Sequence, residues 1–330
     1  MAGILALGEL ADGELQSITG ELLAVGRRLD QALGEGVGGA LLGADPGGAA
    51  NAAIAQGADN VYVVQSPVLS EPQIDAYLAA FEQVCRQVEP SVVLVGRTPA
   101  ARDIAPRLAF RLGVGMAQDC VEVDVDPDTR RITATRPVYG GSALAKVTFP
   151  EANPQVVVVR GKVYEPLQPD ASRTGEVVEI DAGLDESVIK ARLVETVKSE
   201  SQGVRLEDAP VVVGGGRGLG GPEPFEMLEE LAKLLSGAVG ASRAVCDAGW
   251  LDHGYQVGLT GKTITPDLYI TVGISGASQH MAGCSGAKNI VAINRDAEAN
   301  IFKSASYGVV GDWKNVLPSF LETMRELVKS

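Results

Sequence analysis

Cysteine is scarce in this chain. Cys85, Cys120, Cys246 and Cys284 stand far apart with no Cys-x-x-Cys pair, so neither a zinc site nor an iron-sulfur cluster finds the spaced thiolates it needs. They are expected to be reduced, mostly buried thiols. Positive charge is also in deficit. With 28 basic against 42 acidic residues the net charge is -14, which excludes nucleic acid as a partner, because a phosphate backbone is held by a basic surface that displaces counterions. Aromatic residues make up only 5%. No window holds the uninterrupted apolar run of about 18 residues that a membrane helix needs, so no direct membrane insertion is expected. The first residues carry no basic segment ahead of an apolar stretch and lack the Arg-rich, acid-poor character of an organelle transit peptide, which points to the cytoplasm of a prokaryote.

What is present is the ordinary balance of a folded protein, 45% hydrophobic and 21% charged. At 330 residues the chain exceeds the size at which one core keeps growing, so two domains are expected. In the first half, short β-branched runs at 4–7, 61–64, 92–95, 121–125, 132–136 and 156–160 read as strands. The stretches 10–33, 71–87 and 100–112 carry apolar residues at helical spacing, as in Ile74, Leu78, Phe81 and Val84. That alternation is the βαβ rhythm of a parallel sheet. Two strand-like runs around Tyr139-Gly140-Gly141 interrupt it and predict a local antiparallel patch. A polar, charged stretch before the apolar run Pro210-Val211-Val212-Val213 marks a boundary. The expected organisation is an N-terminal α/β domain over 1–196, a linker over 197–208 and a second α/β domain over 209–330. In the latter, strands are expected at 211–213, 268–272 and 289–293, with helices at 222–235, 277–282 and 313–328. The fold class is therefore α/β, with two domains that are each a parallel Rossmann-like sheet flanked by helices.

The polar loops of the second domain carry the chemistry. Gly214-Gly215-Gly216-Arg217-Gly218-Leu219-Gly220-Gly221 lies between a strand and a helix, where exposed backbone N–H groups and the helix dipole favour a phosphate. Gly216-x-Gly218-x-x-Gly221 matches the dinucleotide fingerprint formally, yet the region that should supply an acid for the ribose reads Gly240-Ala241-Ser242-Arg243. A basic residue there argues against ordinary NAD binding. Gly258-Leu259-Thr260-Gly261-Lys262-Thr263 ends like a P-loop, but Gln256 stands where the Walker pattern needs glycine, which excludes that reading. Gly273-Ile274-Ser275-Gly276-Ala277-Ser278-Gln279-His280 and Asn294-Arg295-Asp296 complete a set of polar turns after strands. In a parallel sheet such turns share one rim, where α/β folds bind ligands.

Taken in order, Val257-Gly258-Leu259-Thr260-Gly261-Lys262, Val272-Gly273-Ile274-Ser275-Gly276-Ala277, Gln279-His280 and Val291-Ala292-Ile293-Asn294-Arg295-Asp296 resemble the electron transfer flavoprotein alpha family. Gly215-Gly216-Arg217-Gly218 and Gly240-Ala241-Ser242-Arg243 extend the resemblance upstream, and Val95-Gly96-Arg97-Thr98-Pro99 carries it more loosely into the first half. The resemblance implies FAD across the C-terminal domain, contacted by Arg217, Ser242, Arg243, Gln256, Thr260, Ser275, Gln279, His280, Asn294 and Asp312. It places Arg243, Thr260 and His280 around the isoalloxazine and the others along the ribityl, phosphate and adenosine parts. It also implies a heterodimer with an electron transfer flavoprotein beta subunit, met through the N-terminal domain. Acyl-CoA-type or other dehydrogenases are the implied donors, and a quinone oxidoreductase or another acceptor receives the electrons. A flavin-bifurcating variant with a second FAD in the partner, and an NAD- or FAD-dependent oxidoreductase, are the alternatives.

In the implied site, a guanidinium about 4 Å from the ring at an effective dielectric near 20 favours a reduced, anionic flavin by ~4 kcal/mol, making Arg243 the main candidate for tuning. Thr260 offers a hydroxyl to the ring, and His280 a hydrogen bond more than a charge. Asp312 and Asn294 read equally well as a helix cap before Trp313 and a turn residue. His253, in Asp252-His253-Gly254, reads as structural. The absence of a catalytic triad, metal cluster or paired-acid motif fits an electron carrier with no catalytic residues of its own.

Overall fold

The computed structural model describes residues 3–71, 73–139, 143–149, 152–191, 194, 205–207 and 209–329. Chain contacts divide it into two units, Met1–Val138 with Ala143–Thr196, and Val197–Ser330 with Tyr139–Ser142. Of the expected linker over 197–208, residues 197–204 and 208 lie outside the described residues.

The first unit is built on a seven-stranded parallel sheet in the order Glu176–Glu179, Asn60–Gln65, Val37–Gly43, Ile4–Gly8, Val92–Gly96, Gln155–Val159, Met116–Cys120. Successive side chains of a strand point to opposite faces, and here both faces are covered. Ile4 and Ala6 pack with Val92 and Leu94 on one side, while Leu5 and Leu7 pack with Val93 and Val95 on the other. Burial on both faces explains why these strands read as continuous apolar runs rather than alternating ones. The expected helix over 10–33 starts later, at Ser17, because Leu10–Ala11 and Glu14–Leu15 form a small antiparallel hairpin turned by Asp12 and Gly13, both at positive φ. The antiparallel patch is present: Ile132–Val138 pairs with both Glu122–Val125 and Ala143–Thr148. Gly140 and Gly141 of its turn lie outside the described residues.

In the second unit five parallel strands stand in the order Ala238–Ala241, Val211–Gly215, Leu268–Val272, Asn289–Asn294, Tyr307–Val310. The first and last escaped the sequence reading, Ala238–Ala241 because it is four small residues and Tyr307–Val310 because it is a short, exposed edge strand. Numbered within the unit, the order is 2-1-3-4-5. The strand order therefore reverses between Val211–Gly215 and Leu268–Val272, and the carboxyl ends of such a pair are where α/β sheets place ligands. Val213, Ile270, Val272 and Ile293 face the helices Phe225–Leu234 and Trp313–Lys329, whereas Val212, Tyr269 and Ala292 face the loop side with Val257, Ile264 and Ile301. The expected helix over 277–282 is a single turn, Ser278–Met281.

No described helix is long and apolar enough to cross a membrane. Among the described residues no cluster of His, Cys, Asp or Glu could hold a metal ion. All four cysteines are free and buried, and burial pushes the thiols of Cys85, Cys120 and Cys284 up to about 12.

Candidate functional site

Every strand of the second sheet delivers sequence-predicted site residues at its carboxyl end. Arg217 follows Val211–Gly215, Ser242 and Arg243 follow Ala238–Ala241, and Ser275, Gln279 and His280 follow Leu268–Val272. Asn294 ends the fourth strand, and Asp312 stands between the fifth and its helix. Gln256 and Thr260 reach the same rim because the Val257 N–H donates to the Ala241 carbonyl at 2.9 Å and the Leu259 N–H to the Gln279 carbonyl at 2.7 Å.

Glycine lets the loops approach this closely. At Gly273, φ is +67°, and a Cβ there would meet the Gly218 backbone at 3.0 Å. Gly218 in turn donates its N–H to the Gly273 carbonyl at 3.1 Å. The two loops flanking the switch point are thus packed backbone against backbone, and the N–H groups of Gly216, Gly218, Leu219, Gly220 and Gly273 are all donated to backbone carbonyls. Beside them lies a cleft of about 160 Å³ lined by Gly218, Gly220, Gly273, Asn294, Arg295, Asp312, Trp313 and Lys314 among others. Arg295, Trp313 and Lys314 were missed as site residues, although their adjacency to Asn294 and Asp312 was the available signal. Arg295 and Lys314 bring positive charge to the cleft, which also holds the Asp312 carboxylate, and two cations side by side suit a diphosphate.

His280 is the most constrained polar residue of the rim. Its ring is buried and stacked near Tyr269, with centroids 6.0 Å apart. Tyr269 Oη lies 2.9 Å from His280 Nε2. Burial, the larger influence, pulls the imidazole pKa down to about 4. The Val257 backbone opposes that fall, and Nδ1 is buried with no well-formed hydrogen bond among the described residues. Gln256 is only 5% exposed, its Nε2 donating to Thr260 Oγ1 at 2.9 Å and its Oε1 standing 3.1 Å from His253 Nδ1.

Other predicted residues carry structural tasks as well. The Asn294 side-chain amide donates to the Ile274 carbonyl at 2.9 Å, and its Oδ1 accepts from the Asp296 N–H at 3.0 Å. Asp312 Oδ1 accepts from the Lys314 N–H at 3.0 Å, capping the last helix as its position before Trp313 implied. The Arg243 side chain is 66% exposed and pairs with Asp247 one helical turn on, so solvent screening brings its influence well below the value for a desolvated guanidinium.

Residues 4–185 match the electron transfer flavoprotein domain family, and residues 205–285 match the electron transfer flavoprotein FAD-binding domain. The chain belongs to the electron transfer flavoprotein alpha-subunit family. An electron transfer flavoprotein subunit alpha from Thermoanaerobacterium thermosaccharolyticum is 42% identical, over 97% of this chain and 96% of that protein. One from Megasphaera elsdenii is 42% identical over 98% of this chain and 96% of its own length. The protein named FixB of Clostridium saccharobutylicum is 39% identical over 99% and 98%.

FAD is the cofactor of this alpha-subunit family's C-terminal domain. The residues present fit it. An unpartnered, buried imidazole nitrogen calls for a polar atom from outside the chain, since leaving it unsatisfied costs about 1–3 kcal/mol. The cationic side chains of Arg295 and Lys314 in the cleft suit the diphosphate.

Proposed function

We propose that this chain holds FAD along the carboxyl rim of its C-terminal sheet and, paired with a beta subunit, carries electrons from a dehydrogenase to an acceptor. The observation that carries the proposal is the orphaned Nδ1 of His280 in a rim to which all five strands contribute. When bound, FAD supplies one- and two-electron redox chemistry. The chain's task is to bind, orient and tune. The side chains of Arg217, Arg295 and Lys314 hold the diphosphate beside the Gly216–Gly221 turn. His280 stays neutral and spends its free nitrogen on a ring oxygen, while Tyr269 fixes the other. Thr260 presents its hydroxyl to the ring, and Arg243 adds attraction for negative charge, reduced by its exposure.

Acyl-CoA-type or other dehydrogenases are the proposed donors, and a quinone oxidoreductase or another acceptor takes the electrons. The N-terminal unit is the proposed contact with the beta subunit. Four free, buried thiols suit the reducing cytoplasm of a bacterium, where we place the protein. Counting flavin in the purified heterodimer tests the assignment. One FAD per heterodimer, reduced by a dehydrogenase and not by its small substrate alone, is the expected result. Two FAD would point to a bifurcating complex, and bleaching by a small substrate without any partner would favour an oxidoreductase.

A further inference from the structure

His253 reads from the sequence as structural, yet the turn it stands in does not need an imidazole. The Asp252 carboxylate already accepts the Gly254 N–H at 2.7 Å, and the Tyr255 N–H donates to the Asp252 carbonyl at 3.0 Å. What the ring does instead is meet Gln256. That glutamine is pinned along its backbone: its N–H donates to the His253 carbonyl at 3.1 Å, and its carbonyl accepts the Lys262 N–H at 2.7 Å. Its buried side-chain amide spans from His253 Nδ1, 3.1 Å from Oε1, to Thr260 Oγ1, 2.9 Å from Nε2. His253 and Thr260 are both exposed, so a chain of two hydrogen bonds links one surface side chain to another through a buried amide.

Only two proton arrangements satisfy that amide. In one, Nδ1 carries the proton and donates to Oε1; Nε2 then donates to Thr260, whose own hydroxyl proton is left free for the site. In the other, the amide is turned over, Nε2 donates to an unprotonated Nδ1, and Oε1 takes the Thr260 proton, leaving Thr260 with lone pairs alone. A buried amide cannot leave one end unpaired without cost, so the two ends switch together.

We propose that His253 is a positioning residue which, through Gln256, sets whether Thr260 donates or accepts a hydrogen bond at the flavin. This rests on the FAD reading above. Thr260 as a donor matches the lone pair that an oxidised isoalloxazine presents at its central nitrogen, and Thr260 as an acceptor matches the N–H found there after reduction. His253 therefore biases the relative affinity of the site for oxidised and reduced cofactor while lying outside contact with it.

The test is a double-mutant cycle on the FAD-loaded heterodimer, with His253→Ala, Thr260→Val and the pair. His253→Ala is expected to weaken binding of oxidised FAD about fivefold, the worth of roughly one hydrogen bond, with an accompanying change in flavin potential. In the Thr260→Val background the same substitution is expected to do nothing further. His253→Asn, which restores an amide donor, recovers most of the loss. Equal effects of His253→Ala in both backgrounds, or no effect in either, overturn the proposal. An independent readout comes from nitrogen-labelled histidine in the chain, which has only two: His253 should carry its proton on Nδ1 in the oxidised state, and a proton on Nε2 alone contradicts it. A wild-type heterodimer that binds no FAD removes the functional reading itself, whereas normal FAD binding with an additive cycle removes only the role of His253.

Discussion

His280 is neutral at physiological pH because burial disfavours its charged form, and that has a measurable consequence for stability. Its folded pKa, about 4, lies below the ordinary value of 6.5. The unfolded chain therefore binds a proton that the folded chain refuses, and stability falls as pH drops from about 6.5 towards 4. The wild type should lose roughly 2 to 3 kcal/mol relative to a His280→Gln variant between neutral pH and about pH 4.5, measured by urea unfolding. Parallel curves for the two proteins would show that His280 is not buried in this way. Sequence reasoning reached His280 through resemblance alone, since a lone histidine carries no pattern of its own. It passed over His253 for the same reason, because nothing in Asp252-His253-Gly254 reveals that Gln256 folds back to meet the ring. Its reading of Asn294 and Asp312 as turn and cap residues matches the local backbone bonds their side chains make, and both stand at the rim where ligand contact is proposed.

At the scale of elements, strands buried on both faces were legible wherever β-branched residues run together, as in Val92–Gly96 and Leu268–Val272. Val37–Gly43 was not, because Gly38 and Gly39 give it the look of a loop although it is buried throughout. The Leu10–Leu15 hairpin was absorbed into the helix that follows it, since its leucines continue the helical spacing. Tertiary ties between strand ends are also invisible in one dimension. Asp119, at a φ of +62°, receives Arg160 at 2.9 and 2.8 Å and Arg97 at 3.1 Å, joining the ends of three strands of the first sheet. Replacing Asp119 with alanine leaves two half-buried guanidinium groups unpaired, and it should cost about 2 to 4 kcal/mol in a denaturant melt. A loss below about 0.5 kcal/mol would show that the ion pairs are solvated at no net gain.

Over the whole molecule, the net charge of -14 coexists with a rim cleft lined by Arg295 and Lys314, and with Arg217 and Arg243 at the carboxyl ends of two further strands. Attraction for an anionic cofactor is thus local and does not follow from overall composition, which is why charge counting could exclude nucleic acid yet could not locate the site. Two α/β units and the polar turns of the second were readable from periodicity. That the turns share one rim follows from the parallel sheet and was expected, whereas which turns are neighbours follows from the 2-1-3-4-5 strand order, which no local pattern specifies. The most direct measurement of the central claim is a fluorescence titration of FAD into the deflavinated heterodimer, for the wild type and for Arg217→Ala. The account predicts that the wild type saturates with FAD and that Arg217→Ala raises the Kd about tenfold, as expected for a lost charge-assisted contact. An unchanged Kd in the variant, or a wild type that takes up no FAD, would contradict it.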